Sequence, residues 1–199
     1  QGVELIVTVD CGITANHEAA LCRELGIDLV ITDHHECKSE LPQAIALVDP
    51  HRKDQPQPVT EMAGVGVAFK LAAAIEGEQE TLLDQYCDFL CLGTVADVMP
   101  LTGENRTMVA RGLKALENPR RVGIAALMAE CSVQKGPVTA GTIGYTLAPR
   151  INAAGRMGEV GIATELFLTH DAGRAVELAG ALCRLNRRRQ EIESSIYQS

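Results

Sequence analysis

The chain has 199 residues, of which 46% are hydrophobic and 3% aromatic, no tryptophan, and a formal net charge of −8. This composition supplies an aliphatic core of the kind found in helix-rich α/β proteins, and no apolar run reaches the roughly 18 residues that a membrane span needs. We expect a cytoplasmic protein with no secretory leader and no membrane partner.

The charge is unevenly distributed along the chain. Residues 1–100 carry 17 acidic and 5 basic side chains, whereas residues 101–199 carry 9 acidic and 13 basic ones. An acidic half can hold divalent cations and a basic half can hold an anionic substrate, so the negative total does not exclude nucleic acid as a partner. An uneven scatter of solvated surface charges would give the same count.

The first part of the chain has the pattern of a parallel α/β sheet. Residues 4–10 read as a buried strand, residues 15–25 have helical spacing closed by Gly26, and residues 27–32 read as a second strand. Residues 44–48 predict a third. Short strands separated by a helix imply right-handed crossovers between parallel strands.

The pattern after residue 60 is mainly helical. Helices are predicted at residues 62–76, 81–91, 106–116, 124–131, 139–146 and 162–168. The small-residue segment 152–158 predicts a loop that a phosphate can approach closely.

The last segment predicts one long helix over residues 171–197, with Asp171 as its N-cap. Four arginines cluster where its apolar stripe fades: Arg184, Arg187, Arg188 and Arg189. We therefore divide the chain into residues 1–60, the α/β part of a parallel-sheet domain, residues 61–170, its helical part, and residues 171–199, the start of a helix that connects to a second domain.

The seven cysteines include no Cys-x-x-Cys pair, which indicates reduced and mostly buried thiols. Cys87 and Cys91 are spaced to share a helix face, but two thiols without a second ligand pair make a poor zinc site.

Acidic and imidazole side chains follow the predicted strands where they end. Asp10 follows the first strand and Asp33, His34 and His35 follow the second. The carboxyl ends of parallel strands meet at one edge, so these side chains should face one crevice. Asp97 lies where a helical segment is interrupted and can face the same place.

Mixed carboxylate and imidazole ligands suit Mn²⁺ or Mg²⁺ rather than zinc. Two such ions about 3.5 to 4 Å apart activate a bridging water and hold both oxygens of a phosphoryl displacement, which is the chemistry of phosphodiester cleavage. Taken singly each motif is weak, because an Asp at a strand end is more often a cap or turn residue and a His pair more often belongs to a surface loop.

Together these motifs resemble the DHH phosphoesterases. Asp33-His34-His35 matches the signature that gives the family its name, and residues 9–12 and 93–98 are similar to two further family motifs. Residues 63–70, 104–106 and above all 149–156 resemble the RecJ branch of that family, and the likeness covers nearly the whole chain.

The resemblance implies a 5′→3′ single-stranded-DNA exonuclease of DNA repair and recombination that uses two Mn²⁺ or Mg²⁺ ions. It implies that Asp10 bridges the two ions, that His34 and Asp97 ligate the second ion, that Asp33 orients its neighbours, and that His35 lies at the scissile phosphate. The residues it assigns to DNA phosphate are Arg150, Asn152 and Arg156. Protein partners in replication or repair are left open.

The chain departs from the family at its front, where residues 1–9 contain no Asp-x-Asp pattern to supply ligands to the first metal. We therefore expect this chain alone to be inactive. Two alternatives stay open: another enzyme of the superfamily, acting on nanoRNA, cyclic dinucleotides or pyrophosphate, and a non-catalytic relative that binds nucleic acid.

Overall fold

The computed structural model describes residues 2–54, 61–134 and 136–198. The chain divides into two compact units, residues 1–111 and residues 112–199. Each unit has its own internal packing.

A three-stranded parallel sheet forms the first part of unit 1. Strands β1 (Leu5–Val9), β2 (Asp28–Thr32) and β3 (Ala46–Val48) lie in the order β1-β2-β3. Helix α1 (Asn16–Glu24) connects β1 to β2. The register pairs Val9 with Thr32 and Thr32 with Val48, so all three strands end at one edge of the sheet.

The sheet is anchored by a small aliphatic core between α1 and β2. Ile31 is 0% exposed, Ala19 1% and Leu29 6%, and partly buried neighbours pack around them. The period-2 pattern of β2 therefore buries the side chains that the sequence marks as apolar.

Three helices complete unit 1 as the chain leaves the sheet: α2 (Gly64–Glu76), α3 (Gln79–Ala96) and α4 (Gly103–Leu116), within which the boundary between the units falls. Helix α2 packs on α3 and against β1 and β2. A methyl group at Gly93 would lie 2.6 Å from Val65 Cγ1, so α2 and α3 approach closely because Gly93 has no side chain. The helix predicted at residues 81–91 ends five residues before the observed end of α3 at Ala96, because the apolar stripe in the sequence weakens at Gly93 and Thr94.

Unit 2 is helical. Its elements are α5 (Val122–Glu130), a π-helix (Thr142–Leu147), α6 (Ala148–Arg156), α7 (Val160–Leu168) and α8 (Ala172–Gln198). Helix α8 packs against α5, α6 and α7. A methyl group at Gly123 would lie 1.8 Å from the Leu166 carbonyl oxygen. The backbones of α5 and α7 can therefore approach each other this closely because Gly123 has no side chain.

The prediction of a loop at residues 152–158 is wrong for the first five of these residues, which belong to α6. Ala153 and Ala154 are 0% and 1% exposed, so the small side chains serve close helix packing and favour helix by their intrinsic propensity. Arg156 is the last residue of the helix, and Gly158, with a φ of 78°, lies just beyond it.

The long terminal helix is confirmed. The Arg174 N–H donates to Asp171 Oδ1 at 2.8 Å, which is the expected N-cap bond. Within the described residues, no helix has the length and apolar character needed to cross a membrane. The predicted fold class, a parallel α/β sheet followed by helices and a long last helix, is confirmed.

Candidate metal centre

The candidate site begins at the shared edge where β1 and β2 end. The Asp10 N–H donates to the Thr32 carbonyl at 3.0 Å, and the Asp33 N–H donates to the Val48 carbonyl at 3.0 Å. The backbone N–H groups of Asp10 and Asp33 thus make the last hydrogen bonds at this edge of the sheet. The position of the two backbones is set by strand register rather than by loop geometry.

Asp10 turns sharply away from β1. Its φ is 65°, a left-handed conformation that is uncommon outside glycine, though aspartate tolerates it better than most residues. Thr8 Oγ1 donates to the Cys11 carbonyl at 2.8 Å and closes the turn. Thr32 Oγ1 donates to the Thr8 carbonyl at 2.7 Å and ties the turn to β2. The Asp10 side chain, 59% exposed, is held outward at the strand end.

Asp33 is buried and its two oxygens are occupied. Oδ2 accepts the Ile13 N–H at 2.9 Å, while Oδ1 accepts the His34 N–H at 2.8 Å and lies 2.6 Å from His35 Nδ1. Burial raises the pKa of Asp33, but the hydrogen bonds from Ile13, His35 and His34 outweigh it, so the pKa lies below its usual value. An ionised Asp33 is suited to orienting the two histidines.

His34 contacts two further carboxylates. Its Nε2 lies 2.9 Å from Asp10 Oδ1 and 3.5 Å from Asp97 Oδ2, and its side chain is only 10% exposed. Asp97 directly follows α3, and the next residue, Val98, has a φ of 56°. A β-branched residue in that conformation is strained, and such strain is typical of functional sites.

His35 lies beside His34, with the two ring centroids 4.5 Å apart, and its side chain is 61% exposed. The hydrogen bond to Asp33 raises the pKa of the His35 imidazole, burial opposes the rise, and the charges of Asp33, Asp10 and Asp97 add to it. Because Nδ1 faces Asp33, Nε2 is the ring nitrogen left for another group.

The donor set fits a divalent cation. One ligand atom from each of Asp10, Asp33, His34 and His35 lies within 4.8 Å of the others. Space is preserved by Gly64 at the start of α2, where a methyl group would lie 2.3 Å from Asp10 Oδ1. Carboxylate oxygens and imidazole nitrogens without thiolate suit Mn²⁺ or Mg²⁺.

Comparison with known proteins identifies the family. Residues 3–94, which include the whole sheet and the histidine pair, match the DHH family, N-terminal domain. The chain is 43% identical to the single-stranded-DNA-specific exonuclease RecJ of Bacillus subtilis (strain 168), over 98% of this chain and 25% of the relative. Residues 3–94 of this chain form a DHH-family N-terminal domain.

Other relatives agree with the DHH assignment. The RecJ of Thermus thermophilus is 39% identical over 98% of this chain and 28% of its own length. The crystal structure of that RecJ with Mn²⁺ matches with a TM-score of 0.85 and 38% identity, over 98% of this chain and 29% of that one. The crystal structure with Mg²⁺ matches with a TM-score of 0.73 and 34% identity, over 98% and 27%. The resemblance to RecJ is confirmed, and the chain spans about a quarter of these relatives' length.

The other three predicted site residues lie together on α6 in unit 2. Arg150 donates from Nη1 to the Thr146 carbonyl at 2.6 Å, and its buried Nε has no hydrogen-bond partner among the described residues. Asn152 and Arg156 are exposed. The structure thus gathers Asp10, Asp33, His34, His35 and Asp97 in unit 1 and Arg150, Asn152 and Arg156 in unit 2.

Several supporting residues of the DHH site were missed by sequence reasoning. Thr8 closes the Asp10 turn, and Gly64 leaves room for the Asp10 carboxylate. Asn105, 1% exposed, donates from Nδ2 to the carbonyls of Glu61 and Pro100 and so holds the segment after Asp97. A glycine opening a helix and an asparagine inside one are the signals that could have indicated them.

Proposed function

We propose that this chain forms part of the catalytic core of a metal-dependent exonuclease that degrades single-stranded DNA from its 5′ end. The observation that carries the proposal is the convergence of Asp10, His34 and Asp97 at the strand ends of a RecJ-like DHH domain. The relatives named above are single-stranded-DNA-specific exonucleases, and two of the matching structures hold Mn²⁺ or Mg²⁺.

The metal ligands of this chain are Asp10, His34 and Asp97, with Asp10 able to serve two ions because its carboxylate is exposed. The ions are Mn²⁺ or Mg²⁺. When bound, a pair of such ions lowers the pKa of a bridging water and neutralises charge on the phosphate. Because residues 1–9 contain no Asp-x-Asp pattern, this chain alone has an incomplete ligand set and hydrolyses no DNA.

Asp33 and His35 act on the substrate side of the site. Asp33 accepts a hydrogen bond from the His34 backbone N–H and contacts the ring nitrogen of His35, so it holds the His34 backbone and fixes where the His35 imidazole points. With Nδ1 bonded to Asp33, a protonated His35 presents its Nε2–H to the scissile phosphate and donates a hydrogen bond to one of its oxygens. Asp33 is therefore a positioning residue, and His35 is the catalytic one.

Arg150, Asn152 and Arg156 bind DNA phosphate. A guanidinium donates bidentately to an oxyanion, and the amide of Asn152 adds a neutral donor. Exposure of Asn152 and Arg156 supports the assignment. In the longer protein this helix holds the 5′-terminal phosphate, so that binding energy becomes orientation of the terminal nucleotide.

The proposal extends to organisation and location. Residues 1–60 and 61–170 form the two parts of the DHH domain, residues 171–199 lead to a second domain, and the protein works in the cytoplasm on single-stranded DNA. The alternatives, a phosphodiesterase for small nucleotides and a binding protein without activity, are separated from it by substrate length and by hydrolysis.

The test is a nuclease assay on the longer protein that contains this chain. With Mn²⁺ and 3′-labelled single-stranded DNA, we expect nucleotides to be released from the unlabelled 5′ end, duplex DNA to resist, and Asp97→Asn to abolish release. Asp28→Asn is the matched control, because Asp28 is exposed at the opposite end of β2. Hydrolysis that survives in Asp97→Asn, or none from the parent protein, would overturn the proposal.

A further inference from the structure

A π-helical turn interrupts the regular helix just before α6. Thr142–Leu147 form the widened turn, which continues directly into Ala148. Such turns are rare and are often found at functional sites. Ile143 and Leu147, 0% and 1% exposed, anchor the turn in unit 2, while Tyr145 between them is 87% exposed.

The ring of Tyr145 is left open on the surface. A tyrosine side chain usually buries its ring and leaves the hydroxyl wet, so full exposure of the ring is unfavourable without a partner. The residue one turn earlier is Gly141, and a methyl group there would lie 4.0 Å from Tyr145 Cδ2. Since Gly141 has no side chain to lie against the ring, that approach to the ring is open.

The charge around this turn favours an anionic partner. Residues 131–158 contain no Asp or Glu, although the chain as a whole carries 26 of them. Arg156 and Asn152 are exposed on α6, which continues the same helix. Tyr145 and Arg156 are roughly 15 Å apart along the helix axis, which is a span of several nucleotides at about 3.4 Å per stacked base.

We propose that Tyr145 is a stacking platform for a base of single-stranded DNA, placed on the π-helical turn beside the phosphate contacts of α6. The inference rests on the proposed function, because it takes the DNA substrate from there and names a residue that holds its bases. Aromatic rings bind bases of any sequence through their π faces, and basic side chains nearby hold the backbone. A neutral, apolar protein partner would not require a segment without acidic residues, whereas an anionic one does.

The first experiment measures binding of this chain to fluorescent oligo(dT) at low salt. Tyr145→Ala should weaken binding at least about 5-fold, which is the lower end of what a base–aromatic stack contributes, and Tyr145→Phe should retain it. An oligomer of abasic sites has the same phosphates but no bases, so the Ala variant should bind it like the parent chain. Tyr197→Ala is the matched control, because Tyr197 is 85% exposed on another helix.

A second experiment uses the absence of tryptophan from the sequence. Tyr145→Trp makes residue 145 the sole indole, and oligo(dT) should quench its fluorescence while the abasic oligomer should not. Tyr197→Trp should respond to neither. Because the side chain is exposed, these substitutions leave the fold intact, which circular dichroism checks.

The outcomes separate this inference from the function it builds on. Oligo(dT) binding that is indifferent to Tyr145→Ala, or quenching at residue 145 no greater than at residue 197, overturns the stacking role and leaves the metal site untouched. Equal losses on oligo(dT) and on the abasic oligomer overturn it too, because the residue would then act on phosphate. If the parent chain binds no oligo(dT), both the inference and the DNA substrate of the proposed function fail.

Discussion

His34 Nε2 lies 2.9 Å from Asp10 Oδ1, although the two residues follow different strands. The contact exists because Val9 and Thr32 are register partners, so the chain leaves β1 and β2 at the same edge. A carboxylate and an imidazole brought to this distance are suited to share or adjoin one cation.

Asp10→Asn and His34→Ala should each weaken Mn²⁺ binding to this chain by more than the roughly 10-fold that the loss of an outer-shell partner costs. Electron paramagnetic resonance of free Mn²⁺ measures the affinity directly. Asp28→Asn, a carboxylate lost at the far end of β2, should leave it unchanged. Unaltered affinity in both site variants would place the cation elsewhere.

Gly64→Ala should disrupt the site through the Asp10 carboxylate. The added methyl group would lie 2.3 Å from Asp10 Oδ1 and 2.6 Å from its Cβ, so the side chain has to move as a whole. We expect Mn²⁺ affinity to fall at least about 10-fold while the helix content stays the same. In Gly161→Ala, within α7, no described residue lies within 4 Å of the new methyl group, apart from the chain neighbours and the backbone of the same helix. That control should bind Mn²⁺ normally and gain up to about 1 kcal/mol of stability from helix propensity. Normal Mn²⁺ binding by Gly64→Ala would mean that the Asp10 position is not needed.

Thr8→Val should loosen the turn that presents Asp10. Valine keeps the β-branched shape that suits a strand but cannot donate to the Cys11 carbonyl. The lost hydrogen bond should lower the free energy of unfolding by about 0.5 to 1.5 kcal/mol and weaken Mn²⁺ binding, because the left-handed Asp10 backbone is then less well held. Thr8→Ser keeps the hydroxyl and should restore most of the metal affinity. If serine and valine behave alike, the hydroxyl has no part in holding Asp10.

Arg156→Ala in the longer protein should lose more on DNA with a 5′-phosphate than on DNA with a 5′-hydroxyl. A charge-assisted contact is worth about 1.5 to 3 kcal/mol, and only the phosphorylated end offers its full charge. The kcat/KM values for the two ends give the comparison, with Arg120→Ala, an exposed arginine of the same unit, as the control. Equal losses on both ends would show that Arg156 contacts the backbone elsewhere or is structural.

Much of the fold was readable from local pattern. Strands β1 and β2 follow from apolar runs that end at polar residues, and the long last helix follows from its spacing and the capping Asp171. These signals act over a few residues and depend little on what packs against them. Parallel pairing then placed Asp10 and Asp33 at one edge before any coordinate was known.

Other features depend on residues distant in sequence. Asp97 reaches His34 only because α2 and α3 pack closely at Gly93, and room for Asp10 depends on Gly64, more than fifty residues away. No local pattern contains these contacts. The same applies to Thr8, whose hydroxyl could equally have faced solvent.

The sequence by itself determined the three parallel strands, the helical second half and the chemistry of the Asp10 and Asp33-His34-His35 cluster, because hydrophobic period, turn residues and donor type are properties of short segments. Only the tertiary structure decided that residues 148–156 form a helix and that a π-helical turn exposes Tyr145. It also decided that the Asp33 carboxylate forms hydrogen bonds with the Ile13 backbone and the His35 ring. Small residues permit either a loop or a close helix contact, and which one forms depends on the partner surface that buries them.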